Sequence, residues 1–569
     1  MIPLSEYPRP QFKRDSYLSL NGRWEYKVSK EDKLPESYDG TILVPYSPET
    51  KNADLKDKNG NHINPFILQP DEYLFYHLSL DIPEEFIIKQ YIILHFTAID
   101  QIAEVYINGN EAYSHVGGFL PFSFDISPYL RDRHLDIIVK VTDSTDTSYH
   151  SRGKQKLKHG GIWYTPQSGI NQPVWLESVF NGYFEDIKLT PNIDDSTLKI
   201  KAKTNFATYK IIFDNKEYEA SSDKDFILHI ENPHLWSPED PYLYNITFIT
   251  KYDKVESYFA MRKFSVMRDE NNILRFALNN KPYFMKGVLD QGYYQDGLLT
   301  PNSDEDYIND ITLMKSLGFN TLRKHIKIEP LRYYYHCDKL GMIVFQDFVN
   351  GGETYKKLHI LLPVLFNIHK KDTKYKAFSR TNRLGRFEAL NEFKETINYL
   401  YNVPSIGLWT IFNEGWGQFD SKKIYQELVS LDYTRIYDHA SGFYDQGISD
   451  TKSIHIYFRP VKLTKKNTDP NRVLFLSECG GYKLKIEGHT YSNKTFGYKT
   501  IKNQEELENE YINFINRDIL PNISKGLSSF IYTELSDVEE ELNGFITFDR
   551  EVVKVDINKI KDINDKVIL

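Results

Sequence analysis

The stretch Pro404-Ser-Ile-Gly-Leu-Trp-Thr-Ile-Phe-Asn-Glu-Gly-Trp-Gly-Gln418 decides how the rest of the chain is read. Its apolar run, Ile406 to Phe412, is too short for an ordinary helix and rich in β-branched and aromatic side chains, which predicts a buried strand. The run breaks off at Asn413 and Glu414, followed by Gly415, Trp416 and Gly417. In barrels of parallel strands, the C-terminal ends of the strands are where active-site groups sit. Alone, an Asn-Glu pair in such a place reads as readily as a solvated loop, so its meaning depends on a partner.

A second stretch repeats the pattern. The run Val473–Leu476 continues into Ser477-Glu478-Cys479-Gly480-Gly481, again a buried strand, a glutamate and glycines expected to let a ligand approach. Between and around the two, from about residue 268 onward, strands and helices alternate, the mark of parallel βα units. The candidate strands are Tyr283–Val288, Asn320–Arg323, Met342–Phe345, Ile406–Phe412, Arg435–Asp438, Ser453–Ile456, Val473–Leu476 and Ser528–Tyr532. An amphipathic helix is predicted over Asp304–Leu317, capped by Ser303 and stopped by Gly318. Eight strands over about 300 residues predict a closed (β/α)8 TIM barrel at 268–569. Glu414 then ends the fourth strand and Glu478 the seventh.

Upstream, the chain reads as all-β. Residues 1–180 hold short alternating runs such as Gly22–Val28, Tyr91–Phe96 and Asp136–Thr142, and Ala103–Asn110 enters an Asn-Gly turn. That pattern predicts an N-terminal jelly-roll β-sandwich. It closes with Gly160-Gly-Ile-Trp-Tyr-Thr-Pro, a loop whose Trp163 and Tyr164 are placed to reach a neighbouring site. Residues 181–267 predict strands at Thr197–Thr204, Tyr209–Phe213, Phe226–Ile230 and Tyr242–Thr250, the spacing of an immunoglobulin-like β-sandwich. This second unit reads as a spacer.

Composition narrows the function classes. The 569 residues balance 79 Asp and Glu against 70 Lys and Arg, a net charge of -9, which speaks against a nucleic-acid partner. No run approaches the apolar length of a membrane span. Cys337 and Cys479 provide no disulfide framework. The chain opens Met-Ile-Pro-Leu-Ser-Glu-Tyr, without a basic-then-apolar leader, so the expected setting is cytoplasmic. Forty-one Tyr, 35 Phe and 6 Trp supply rings able to stack on sugar faces.

Two carboxyls at one barrel mouth have a specific use. In retaining glycoside hydrolysis one attacks the anomeric carbon and the other protonates the leaving oxygen across about 5–5.5 Å. Like charges that close resist joint ionisation, so one keeps its proton. Other predicted strand ends supply polar groups: Asp290 on the first, Arg323 and His325 on the second, Asp347 on the third, His455 and Tyr457 on the sixth, Tyr532 and Glu534 on the eighth. An arginine there can hold a carboxylate ionised. His325, Asp347 and His455 lack close metal-type spacing, and no phosphate-cradling or dinucleotide loop follows a strand. No cofactor is expected to be required, and a structural or activity-modulating cation is not indicated.

With Phe412-Asn-Glu-Gly415, Gly318-Phe-Asn-Thr-Leu-Arg323 plus His325, and Leu476-Ser-Glu-Cys-Gly480 in view, the chain resembles family 2 of the glycoside hydrolases, the β-galactosidases, β-glucuronidases and β-mannosidases. The resemblance covers nearly the whole length. It implies Glu414 as acid/base, Glu478 as nucleophile, and Asn413 as partner of the sugar's 2-hydroxyl. It further implies Tyr457 and Arg323 as supports of the nucleophile, with His325, Asp347, His455 and Trp416 around the terminal sugar. Members of the family often form dimers or tetramers.

There are departures. The chain is expected to lack the extra C-terminal domains of long β-galactosidases, and Phe348–Glu353 lacks the histidine they place there. Family members that cut glucuronides pair the sugar carboxylate with the Lys of an Asn-x-Lys; here Glu541 and Asn543 stand in those positions, and Glu541 would repel a uronate. The expected function is therefore a retaining exo-β-glycosidase on a neutral sugar, β-galactoside first. The alternatives are a β-glucuronidase, a β-mannosidase, a uronic-acid- or arabinoside-specific member, and a catalytically silent carbohydrate-binding protein.

Overall fold

The computed structural model describes residues 2–222, 224–356, 370–457, 459–464 and 467–569. Its centre is one eight-stranded parallel sheet: β1 (Met285–Asp290), β2 (Thr321–Lys324), β3 (Ile343–Asp347), β4 (Ile406–Thr410), β5 (Ile436–Asp438), β6 (Thr451–Ile456), β7 (Val473–Gly480) and β8 (Leu527–Thr533). The hydrogen-bonded order runs β5-β4-β3-β2-β1-β8-β7-β6. Side chains close the ring, with Thr451 Oγ1 donating to the Tyr437 carbonyl at 3.3 Å and Ser453 Oγ to that of Ala440 at 3.2 Å. Every strand overlaps one expected from the sequence.

Period-2 alternation along these strands separates two layers. Met285, Leu289, Ile343, Phe345, Leu408, Ile436, Phe475 and Ile531 fill the barrel interior. Val288, Leu322, Val344, Trp409, Leu476, Phe530 and Tyr532 belong to the outer cluster that packs against the helices. The first helix, α1 (Asp304–Ser316), has the Ser303 hydroxyl accepting from the Glu305 amide, as its capping sequence dictates. It ends at Gly318, whose φ of +84° continues the chain away from the helix.

One element was not anticipated. A small antiparallel sheet of Phe264–Arg268, Leu274–Leu278 and Lys281–Pro282 precedes β1. Phe276 packs 5.9 Å from Phe345 and 5.6 Å from Phe475, centroid to centroid, so this sheet joins the interior core.

The N-terminal unit stacks a seven-stranded sheet on a four-stranded one around Trp24, Ile42, Leu74, Tyr76 and Val105. The Asn108-Gly109 turn has both residues at positive φ, 48° and 77°, which matches the twist of the hairpin it joins. The next unit pairs a three-stranded with a four-stranded sheet, Phe184–Asn192 through Lys254–Phe259. Among the described residues, no helix is long and apolar enough to cross a membrane.

Candidate active site

Strand alternation decides which polar residues converge. On β2, Thr321 and Arg323 point inward while Leu322 and Lys324 point outward. Arg323 is 1% exposed and donates to four partners at the barrel mouth. Its Nε and Nη2 reach Asp347 Oδ1 and Oδ2 at 3.0 and 2.9 Å; Nη2 also reaches Asn413 Oδ1 at 2.9 Å. Nη1 donates to Glu478 Oε1 at 3.0 Å and to the Ser477 carbonyl at 2.9 Å. A guanidinium presents a rigid fork, and here three of its nitrogens fix three acceptor side chains at once.

Glu478 receives a second donor from the Tyr457 hydroxyl on its other oxygen. Burial alone would push its carboxyl up, but His455, Arg323, His325 and the Tyr457 bond together hold it at about 2. The group is therefore ionised at neutral pH. His455 sits between the two glutamates, with Nδ1 2.8 Å from Glu414 Oε1 and Nε2 3.5 Å from Glu478 Oε1. Its ring fits because Gly442 has no Cβ; one there would lie 2.5 Å from the imidazole. One oxygen each of Glu414 and Glu478, with a His455 nitrogen, all lie within 4.8 Å of one another. The three are the right types to ligate a metal. The His455 contacts just described bring the three together, and His489, Asp549 and Glu551 are the other such grouping among the described residues.

Glu414 differs from Glu478. It lies on a left-handed residue, φ 51°, a conformation that costs a non-glycine residue on the order of 1 kcal/mol and is often retained at functional sites. Its amide donates to the Ser441 carbonyl at 3.0 Å, fixing the turn. His325 Nδ1 lies 2.8 Å from Asp347 Oδ2, and its burial lowers the imidazole to about 4, so the ring is neutral. Burial works against ionised Asp347, but Arg323 and His325 together outweigh it and hold the carboxyl below its ordinary range.

Several expected contributors take other places. Asp290 points outward, pairing with Lys324 Nζ at 2.7 Å and accepting from Tyr333 Oη at 3.1 Å. Tyr532 also lies in the outer layer, its ring 5.1 Å from Tyr511 and 4.7 Å from Phe545. Both fall on the outward phase of their strands, so neither lines the mouth. The glycines beside the glutamates make room for protein rather than sugar. Cβ atoms on Gly415, Gly480 and Gly481 would strike the rings of Tyr444, Tyr532 and Tyr498, and one on Gly417 the Gly351 carbonyl.

Glu534 does reach the interior. Its Oε2 accepts from Gln291 at 3.0 Å, and its Oε1 is buried without a partner among the described residues. Asn413 Nδ2, Trp416 Nε1 and Asn543 Oδ1 are likewise buried without a partner among the described residues. Buried polar groups are seldom left so, and each of these has hydrogen-bonding capacity to offer a polar ligand. The Trp416 ring lies 5.0 Å from that of Trp163 of the N-terminal unit, tilted by 42°, and the Tyr164 hydroxyl donates to Glu541 Oε2 at 2.6 Å. The loop singled out in the sequence thus completes the rim. Tyr498, stacked 3.9 Å on Tyr457, and Lys154 were missed. The aromatic-glycine triplet Phe496-Gly-Tyr498 was the available signal for the first.

Comparison with known proteins gives the family. Residues 18–170 match the model "Glycosyl hydrolases family 2, sugar binding domain", 182–262 "Glycosyl hydrolases family 2", and 270–551 "Glycosyl hydrolases family 2, TIM barrel domain". The chain belongs to family 2 of the glycosyl hydrolases. This family 2 chain is 25% identical over 445 residues to a putative beta-glucuronidase of Formosa agariphila, covering 73% of this chain and 48% of that protein. It is 25% identical over 370 residues to a beta-galactosidase of Thermoanaerobacter pseudethanolicus, covering 60% and 45% respectively. It spans about half the length of these curated relatives. The fold is shared with a beta-D-glucuronidase of Dictyoglomus thermophilum (TM-score 0.74, 19% identity, 98% of both chains). It is shared too with a GH2 beta-galacturonidase of Eisenbergiella tayi bound to galacturonate (TM-score 0.71, 16% identity, 98% and 99%).

Proposed function

We propose that the protein is a retaining exo-β-glycosidase that removes a neutral terminal sugar, a β-galactoside first, by double displacement. The observation that carries this is the Glu414–Glu478 separation, with oxygens within 4.8 Å. That suits direct attack by one carboxylate; inverting enzymes hold the pair about 6.5–9.5 Å apart to admit a water. Glu478 is the nucleophile, because Arg323 and Tyr457 keep it ionised. Glu414 donates its proton to the glycosidic oxygen as Glu478 attacks the anomeric carbon. Water then cleaves the glycosyl ester, returning its proton to Glu414. Asn413 Nδ2, without a hydrogen-bond partner among the described residues, donates to the 2-hydroxyl in this reading.

The names of the relatives make a uronide the rival substrate. Buried Glu541 opposes it, since a second carboxylate beside that group meets like-charge repulsion. A silent carbohydrate-binding protein gains nothing from a buried pair of mutually repelling carboxyls. The test is kinetic. Glu478→Ala abolishes turnover of aryl β-glycosides, while Glu414→Ala spares good leaving groups far more than poor ones. Wild-type rates for both variants on a poor leaving group would defeat the assignment.

A further inference from the structure

We propose that Lys154 of the N-terminal unit and Glu534 at the end of β8 act as a two-residue clamp on one hydroxyl of the terminal sugar, making the N-terminal unit a determinant of which sugar is accepted. The proposal rests on the glycosidase reading above.

The segment bearing Lys154 is stitched to the barrel mouth. The amides of Arg152 and Gly153 donate to the Asn350 carbonyl at 3.0 and 3.1 Å, and Ser151 bridges to Gly351. Arg152 Nη1 donates to the Gly352 carbonyl at 2.5 Å. Gly153, at φ +63°, lies so close to the chain after β2 that a Cβ would stand 2.9 Å from the Ile326 carbonyl. No side chain fits there, and the next residue is thereby held over the mouth. That residue is Lys154, 7% exposed, with its ammonium 5.2 Å from the centre of the Tyr164 ring.

Among the described residues the Lys154 ammonium makes no hydrogen bond and no ion pair. Leaving a buried charge so is costly, and such groups are normally paired. The Tyr164 ring it lies over donates its hydroxyl to Glu541, which places Lys154 among the residues of the site; burial raises the Glu534 and Glu541 carboxyls, and the Lys154 charge opposes that rise. Both oxygens of Glu541 are taken, by Tyr164 and by Asn543 Nδ2 at 3.0 Å. Glu534 is not saturated: Oε1 is a buried acceptor without a donor among the described residues.

A lone donor and a lone acceptor facing one mouth are satisfied together by a hydroxyl, which accepts from the ammonium and donates to the carboxylate. A sugar carboxylate would suit Lys154 but meet Glu534 and Glu541, so the same arrangement disfavours uronides. A hydrogen bond to a charged partner discriminates strongly against a substrate lacking the hydroxyl, because the protein group is then left buried and unpaired.

The test pairs protein variants with deoxy substrates. kcat/KM is measured for wild type, Lys154→Met and Glu534→Gln on an aryl β-galactoside and its 3-, 4- and 6-deoxy analogues. Lys154→Met is expected to lose about 100-fold on the parent sugar but under about threefold on one deoxy analogue, and Glu534→Gln to single out the same position. Should Lys154→Met fail to fold, Glu534→Gln with the deoxy series decides alone. Equal losses across all analogues would overturn the clamp and leave both residues structural. So would a wild-type preference for an aryl β-uronide that Lys154→Met abolishes, which would make the lysine a carboxylate anchor. If wild type cleaves no aryl glycoside, the glycosidase reading falls first and the clamp with it.

Discussion

Arg323 and Lys324 are neighbours in sequence and both are buried cations, yet they serve opposite sides of one strand. Arg323 faces the barrel mouth and ties Asp347, Asn413 and Glu478 into one array. Lys324 faces the helices, bonding Asp290 at 2.7 Å and Glu329 at 2.8 Å, with its ammonium 4.1 Å above the Tyr333 ring. The outer network is closed: each charge has an opposite partner, and Lys327 Nζ adds a second contact to Glu329 at 2.8 Å. The inner array is open, for Asn413 keeps an unpartnered donor. Closed networks of buried charge hold a fold together, whereas open ones have capacity left for a substrate.

The largest effect separating the two comes from Lys324→Met. It leaves Asp290 in the interior without its cation, while Glu329 keeps Lys327, and is expected to cost about 3–5 kcal/mol of unfolding free energy in urea titrations. Folded at low temperature, the variant should keep kcat/KM within about threefold. A large loss of activity without a stability change would break the comparison. Arg323→Lys is the counterpart, since a lysine cannot reproduce the fork. It should lower kcat by about 10²–10³-fold on aryl glycosides, with a smaller change in stability.

The pH dependence of Glu478 sharpens the inner half. Its native pKa of about 2 lies below the ordinary 4.5, so the ionised form contributes stability above about pH 5. That contribution is lost as pH falls through 4.5 toward 2, and amounts to about 3 kcal/mol. Comparing wild type with Glu478→Gln from pH 6 to pH 2, the stability difference should shrink by that amount. A constant difference would mean Arg323 and His455 do not hold the carboxylate as described.

Asp290 and Tyr532 show where sequence reading stops. The eight strands were legible because apolar runs and turn residues mark them, and Glu414 and Glu478 were legible because each follows such a run. The phase was not legible. A barrel strand is apolar on both faces, so alternation is present but nothing in a single strand says which phase is inward. Asp290 and Tyr532 are strand-end polar residues like Arg323 and Glu534, yet one step in register puts them among the helices. Lys154 was hidden for a different reason. It comes from another unit, and only the stitching of Ser151–Gly153 to the loop after β3 brings it to the mouth. The glycines misled because a small residue signals a close approach without saying what approaches.

Tyr532→Phe is the smallest of these effects. Its ring packs against Tyr511 and Phe545, away from the site, so kcat/KM should stay within about twofold and stability within about 1 kcal/mol. A loss of activity with stability intact would return this residue to the mouth.

The Glu414–Glu478 pair is tested most directly by proton NMR during the first turnovers of an aryl β-glycoside. Double displacement predicts that the β-anomer of the free sugar appears first and converts to the α-anomer only by mutarotation. Initial release of the α-anomer would contradict the account, because attack by Glu478 on the anomeric carbon followed by water must restore the starting configuration.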